Sequence, residues 1–152
     1  MRFWRICRER YATEAASGEG ARLFGGRWNS RGVRVVYAST SLALAAMETF
    51  VNLEPNLQPD DLVSIEGEIP DELQVARLDV HVLPPHWHET RDESLRRFGD
   101  EWVRMAQTVG LLVPSAAILG ARNLLLNPAY KEFSQIRFGE PQRFRFDARM
   151  FR

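Results

Sequence analysis

The sequence predicts a single α+β domain in which short strands outnumber helices. Three observations lead there. A chain of 152 residues is long enough to bury one core and too short to split comfortably into two. Hydrophobic residues at 45% and charged residues at 26% place it among globular chains and apart from disordered ones. Strand-like and helix-like apolar patterns are interspersed without a regular βαβ beat, which speaks against a doubly wound sheet.

The elements follow in order. Arg2 to Cys7 is apolar enough for a first strand. Gly18-Glu19-Gly20 and then Phe24-Gly25-Gly26-Arg27-Trp28-Asn29-Ser30-Arg31-Gly32 read as a glycine-punctuated loop. Arg34 to Ser39 is β-branched and aromatic, a second strand, and Ser41 offers an N-cap for an apolar helix over Leu42 to Leu53, ended before Pro55. Leu62 to Ile69 alternates as a half-buried strand does, and Gln74 to Asp79 reads as another short strand. Glu93 to Val109 carries Leu95, Phe98, Trp102 and Met105 on one face and predicts a helix that Gly99 weakens. Leu111-Leu112-Val113 is a brief buried strand stopped by Pro114, and Asn127-Pro128 starts a turn or short helix. Arg143 to Asp147 alternates charge with Phe144 and Phe146, a final edge-like strand.

Charge excludes some functions. Twenty basic and twenty acidic side chains cancel, so no overall field draws the chain to nucleic acid or to an anionic membrane. Arginine greatly outnumbers lysine, Lys131 being the only one. Arginine reads phosphates and carboxylates bidentately, although an arginine-rich genome produces the same bias. The single Cys7 allows no intrachain disulfide, Met1 to Ile6 has no apolar leader, and no stretch approaches membrane-spanning length, so the cytoplasm is expected. His81, His86, His88 and Glu89 cluster along the chain, but the rigid Leu83-Pro84-Pro85-His86-Trp87-His88 run lacks the ligand pattern of a zinc site; no metal is expected.

Four features could carry chemistry. Glu48 is the only charged side chain between Ser41 and Leu53, in a helix that apart from Thr49 and Asn52 is made of Ala, Leu, Met, Phe and Val. Burying such a carboxylate requires a partner, unless Thr49 and Asn52 mark a solvent edge. Gly25-Gly26-Arg27-Trp28-Asn29 would let backbone approach a ligand while Arg27 meets a phosphate or carboxylate; alone it is equally a turn, and neither a Walker A loop nor a dinucleotide fingerprint. Tyr37 and Ser39 lie two apart on a strand and share a face, lining a cleft or packing in the core. Ser115 follows Pro114 without a nucleophile elbow, so it is a hydrogen-bonding group or a helix cap before it is a hydrolase nucleophile.

Together the motifs resemble the RES domain family. The matching pieces are Gly18-Glu19-Gly20-Ala21-Arg22, Gly25-Gly26-Arg27-Trp28-Asn29, Tyr37-Ala38-Ser39, Ala45-Ala46-Met47-Glu48, Val113-Pro114-Ser115-Ala116 and Asn123-Leu124-Leu125-Leu126-Asn127-Pro128. They run in order over nearly the whole chain, read as one domain over residues 1–152. The family's eponymous Arg, Glu and Ser map to Arg27, Glu48 and Ser115. Tyr130 stands where the family often carries a histidine.

The resemblance implies an ADP-ribosyltransferase-like fold of mixed sheets with surrounding helices. It implies the toxin of a bacterial toxin–antitoxin pair, held in a higher-order complex by an Xre-like antitoxin that makes the DNA contact. It further implies cleavage of the nicotinamide–ribose bond of NAD, as substrate and without another cofactor, by water or phosphate. The alternatives are transfer of ADP-ribose to a protein from the same site, and an inactive module that pairs with a regulator. On this reading Arg27, Glu48 and Ser115 are the catalytic set, while Tyr37, Asn29, Ser39 and Asn127 bind substrate.

Overall fold

The computed structural model describes residues 1–152. Its centre is one eight-stranded sheet. The strands are β1 (Arg2–Arg8), β2 (Val36–Ser39), β3 (Leu62–Glu68), β4 (Val75–Arg77), β5 (Gly110–Pro114), β6 (Arg122–Leu126), β7 (Arg137–Phe138) and β8 (Gln142–Arg143). They run in the order β4-β5-β6-β2-β1-β3-β7, with β8 also on β3; β4 and β5 are parallel and every other pair is antiparallel. Three helices accompany the sheet: α1 (Glu19–Phe24), α2 (Leu42–Phe50) and α3 (Glu93–Met105). The single α+β domain expected from the sequence is what forms, and no helix is long and apolar enough to cross a membrane.

Alternation along the strands divides the core in two. Phe3, Val36, Ala38, Leu124 and Leu126 face one side and pack with Ile69, Leu73, Val109 and Ile136. Val35, Leu111, Val113 and Leu125 face the other and pack with Trp28, Leu83, Trp87 and Leu95. β6 explains why the sequence did not reveal it as a strand. Leu124, Leu125 and Leu126 are all fully buried between β2 and β5, so the run has no polar face and no period.

Other differences have equally local causes. The stretch expected to be all loop after Gly18 instead forms α1, bracketed by Gly18 and Gly25 at φ 69° and 70°. Glu19 in its first turn meets Arg22 and Arg34, each at 2.5 Å, and Arg22 is the main reason its carboxyl is held down to about 2. The expected strand from Arg143 to Asp147 is confined to Gln142–Arg143, opposite Ser64 and Val63. Phe146 is drawn away from the sheet into a cluster with Phe50 and Phe151 at ring separations of 5.7 and 5.9 Å. α2 stops at Phe50 rather than Leu53, and α3 at Met105, where Ala106 takes φ 49° and frees Val109 to enter the core ahead of β5.

Gly99 is required, not tolerated. A Cβ there would lie 1.8 Å from the Trp28 carbonyl oxygen, a backbone atom that cannot swing aside. Gly99→Ala gains about 1 kcal/mol of helix propensity but forces α3 off the loop beneath it, an overpacking cost of about 3 kcal/mol. We expect a net fall in thermal midpoint of roughly 4–8 °C by circular dichroism. An unchanged or raised midpoint would show that α3 does not pack as described.

The sheet has one weak seam. β1 pairs with β3 along all seven residues but with β2 only at Trp4 opposite Ser39. Beyond that pair the two strands leave the ladder, and a cleft opens between them with α2 against it. That seam positions the candidate site.

Candidate functional site in the cleft between the half-sheets

The cleft has a volume of about 990 Å³ and is lined by Arg5, Arg27, Tyr37, Glu48, Arg91 and Asn123, among others. Glu48 is set by α2. Ser41 caps that helix by accepting the Leu44 N–H at 3.1 Å, and Leu44 and Ala45 bury its inner face, which turns Glu48 toward the ends of β5 and β6.

There the carboxylate is gripped on one side only. Its Oε1 accepts from the Ser115 hydroxyl at 2.6 Å and from the Asn123 amide at 2.6 Å, while Oε2 has no protein partner. Ser115, fully buried, is itself oriented by the Ile118 N–H at 3.0 Å. Asn123 is oriented by Ser39, whose hydroxyl donates to its Oδ1 at 2.7 Å across the β2–β6 register pair. A carboxylate with one oxygen locked and the other facing a cleft is preorganised to meet positive charge, since the fixed donors set its direction before any ligand arrives.

Arg27 comes from the turn after α1. Its Nη1 donates to the carbonyls of Trp87, at 3.2 Å, and Thr90, so it pins the segment that carries His88 and Arg91 along the cleft wall. Burial, then Arg91, lowers its pKa below the ordinary guanidinium value, and Glu48 opposes that shift through space. Arg91 donates to Asn52 at 2.9 Å, joining the same segment to the end of α2. None of Arg5, Arg27 and Arg91 has a carboxylate partner.

The remaining expected residues divide clearly. Tyr37 and Ser39 do line the cleft, but both hydroxyls are engaged. The Tyr37 hydroxyl donates to Asn29 Oδ1 at 2.6 Å and accepts the Trp28 N–H at 3.2 Å, and burial pushes its pKa far up. Its hydroxyl is therefore already committed within the protein. Asn29 does not reach the cleft: it is fully buried, and its amide donates to the carbonyls of Ala21, Ser30 and Val33. It holds the Gly25–Arg27 turn in shape, which a buried side chain with so many bonds does better than a ligand contact could. Gly26 is needed by the same arrangement, because a Cβ there would lie 2.7 Å from the Tyr37 hydroxyl.

Asn127 lies at the other end of β6 from Asn123. It is buried, donates to the Val103 carbonyl at 3.2 Å and accepts the Ala129 N–H at 3.0 Å, so it caps a turn and takes no part in the cleft. Tyr130 packs against the first core cluster. Two residues that the sequence did not single out belong to the site. Asn123 was visible only as a member of a motif, and Arg5 only as one arginine in a first strand; neither carries a local pattern that marks it.

Comparison with known proteins shows the family and the fold. The RES domain model matches residues 2–147. The chain is 38% identical over 156 residues to the "Prs ADP-ribosylating toxin" of Sphingobium sp., covering 99% of this chain and 96% of that one. It is 35% identical over 134 residues to the "Toxin Res" of Photorhabdus laumondii, covering 88% and 85%, and 32% identical to the "Toxin Res" of Yersinia enterocolitica, covering 99% of both. Among solved structures, a chain of the Mycobacterium tuberculosis MbcT–MbcA toxin–antitoxin complex shares the fold with a TM-score of 0.68 at 20% identity, over 95% of this chain and 84% of that one. With the motif order, the family model and relatives spanning nearly the full length all in agreement, the chain belongs to the RES domain family.

Proposed function

We propose that this protein is the toxin of a toxin–antitoxin pair and that its cleft breaks the nicotinamide–ribose bond of NAD. One observation carries the chemistry: Glu48 is locked through Oε1 and open through Oε2 in a cleft that also holds Arg5, Arg27 and Arg91, three guanidiniums without a carboxylate partner. Such a cleft suits a ligand with a cationic end and an anionic middle, and NAD has both.

Nicotinamide leaves with the bonding electron pair and becomes neutral, so no general acid is required. The barrier is the positive charge that develops on the ribose, as in glycoside cleavage. Oε2 of Glu48 would face that charge, while Arg27 and Arg91 would hold the phosphates. The Tyr37 ring would flank the nicotinamide. Ser115 and Asn123 act through Glu48 and touch no reacting atom.

Water, phosphate or a protein side chain can attack the freed carbon. Hydrolysis or phosphorolysis is the reading we adopt. Transfer to a protein is the second, favoured by the name of the 38% identical relative, an ADP-ribosylating toxin. Purified protein given NAD is expected to release nicotinamide, with ADP-ribose as co-product in phosphate-free buffer and a phosphorylated ADP-ribose when phosphate is present. Background nicotinamide under both conditions would refute enzymatic NAD cleavage.

The partner reading rests on the toxin–antitoxin complex of the structural neighbour. The antitoxin we propose is Xre-like and places an acidic group against Arg27. Expression of this gene alone in bacteria should arrest growth as intracellular NAD falls, and Arg27→Ala should be harmless. Steady NAD and normal growth with soluble wild-type protein would remove the toxin assignment.

A further inference from the structure

A water that attacks the ribose carbon must give up a proton, and the cleft holds few groups able to take it. Its arginines are donors only, charged at any pH the protein meets. Burial pushes the Cys7 thiol up, and the Tyr37 hydroxyl, also pushed up, is committed to Asn29. Glu48 has one oxygen taken by Ser115 and Asn123, and the other is left to meet the ribose. One group remains. His88 lines the cleft from the segment ahead of α3, and imidazole is the side chain that exchanges a proton between about pH 5 and pH 8.

The segment that carries His88 is held in place from outside. Arg27 donates to the carbonyls of Trp87 and Thr90, on either side of it, and Arg91 ties the segment to Asn52 just past α2. The His88 ring stands edge-on to buried Trp87, with 5.8 Å between centroids. Its Nε2 lies 3.7 Å from the Glu89 carboxylate, too far for a hydrogen bond, so the ring is positioned without being saturated. Besides the arginines, Cys7 and Tyr37 of β1 and β2, the ionisable groups that share its surroundings are Glu89, His86 and Arg91 of its own segment, Arg27 from the turn after α1 and Glu48 from α2. Trp87 already supplies the apolar contact here, so packing alone gives no reason for a titrating ring.

The geometry points to His88 as the base that activates water in this cleft, a role that rests on the NAD reading above. In the step, a lone pair of the water oxygen forms the bond to the ribose carbon, and nicotinamide leaves with the electrons of the broken bond. The water's proton passes to an imidazole nitrogen of His88. Hydrogen phosphate needs no such help, because it arrives as an anion and keeps its proton when the new bond forms. His88 therefore sets how well water competes with phosphate for the same carbon.

The test runs both reactions in one mixture of NAD and phosphate and separates ADP-ribose from its phosphorylated form. Both products share the bond-breaking step, so their ratio reads the acceptor alone. His88→Gln should lower ADP-ribose relative to the phosphorylated product about a hundredfold. In phosphate-free buffer, wild-type hydrolysis should fall between about pH 8 and pH 5, because a protonated imidazole accepts nothing, and His88→Gln should lose that slope. With 34% of the side chain exposed, the variant should fold, which a melting curve checks; His88→Asn replaces it if it does not. An unchanged ratio, or an equal loss of both products, would make His88 a wall residue and overturn the assignment. So would a slope that survives the substitution, or a wild type that forms the phosphorylated product only. Where wild type forms ADP-ribose only, the slope alone decides. A wild type that releases no nicotinamide with either acceptor would instead end the NAD reading itself, so the two failures are told apart.

Discussion

Glu48→Gln is expected to reduce nicotinamide release about a hundredfold while leaving the fold intact. The geometry makes the substitution unusually clean. A glutamine placed in the same rotamer keeps its oxygen where Oε1 is, so it still accepts from Ser115 and from Asn123. Its amide nitrogen then takes the position of Oε2 and presents a weak dipole, positive end outward, to the ribose. What is lost is a full negative charge at the point where positive charge develops, worth on the order of 3 kcal/mol. Thermal unfolding should move little, because both buried donors remain satisfied. The measurement is initial nicotinamide release at saturating NAD beside a melting curve. Turnover within a few-fold of wild type would remove Glu48 from the chemistry and leave it as a polar tie between α2 and the ends of β5 and β6.

How much of this was legible beforehand can be judged residue by residue. Glu48 was visible because it breaks an apolar helix, and the structure shows the partners such a carboxylate needs. Tyr37 and Ser39 were rightly placed on one strand face, since that inference uses only the two-residue period. What the period cannot show is which hydroxyl is already taken, and both are. Asn29 and Asn127 were overvalued for one reason: an asparagine near glycine or proline reads equally as a ligand contact or as a turn clamp. Burial decides, and both are fully buried. The fold class followed from pattern, but β6 did not, because a strand buried on both faces loses its alternation. The seam between β1 and β2 was invisible, since it depends on two strands failing to pair beyond one register position. Arg5 became informative only once that seam was known.

Asn123 is the sharpest case of a residue made meaningful by its neighbours, and it supports a demanding test. Its Oδ1 accepts from Ser39 and its Nδ2 donates to Glu48, so the side chain relays the orientation of β2 to the carboxylate. Asn123→Ala should cost roughly tenfold in turnover at every pH, by freeing one donor from Oε1. Asn123→Asp keeps size and shape but sets a second carboxyl 2.6 Å from Glu48 Oε1, where the amide nitrogen stood. Two carboxylates that close cannot both ionise freely, so the pair retains one proton above the ordinary carboxylate range near 4. While that proton remains, the new carboxyl donates to Glu48 as the amide did, and turnover should approach that of the wild type. As pH rises through the elevated value the proton leaves, the two charges repel, and Glu48 swings off Ser115. Turnover should then fall on the order of ten- to a hundredfold. Asn123→Asp therefore acquires a loss of activity on the alkaline side that neither the wild type nor Asn123→Ala shows, read from nicotinamide release between about pH 5 and pH 9. A profile for Asn123→Asp that parallels the wild type across that window would mean that Asn123 does not hold Glu48 in the working protein.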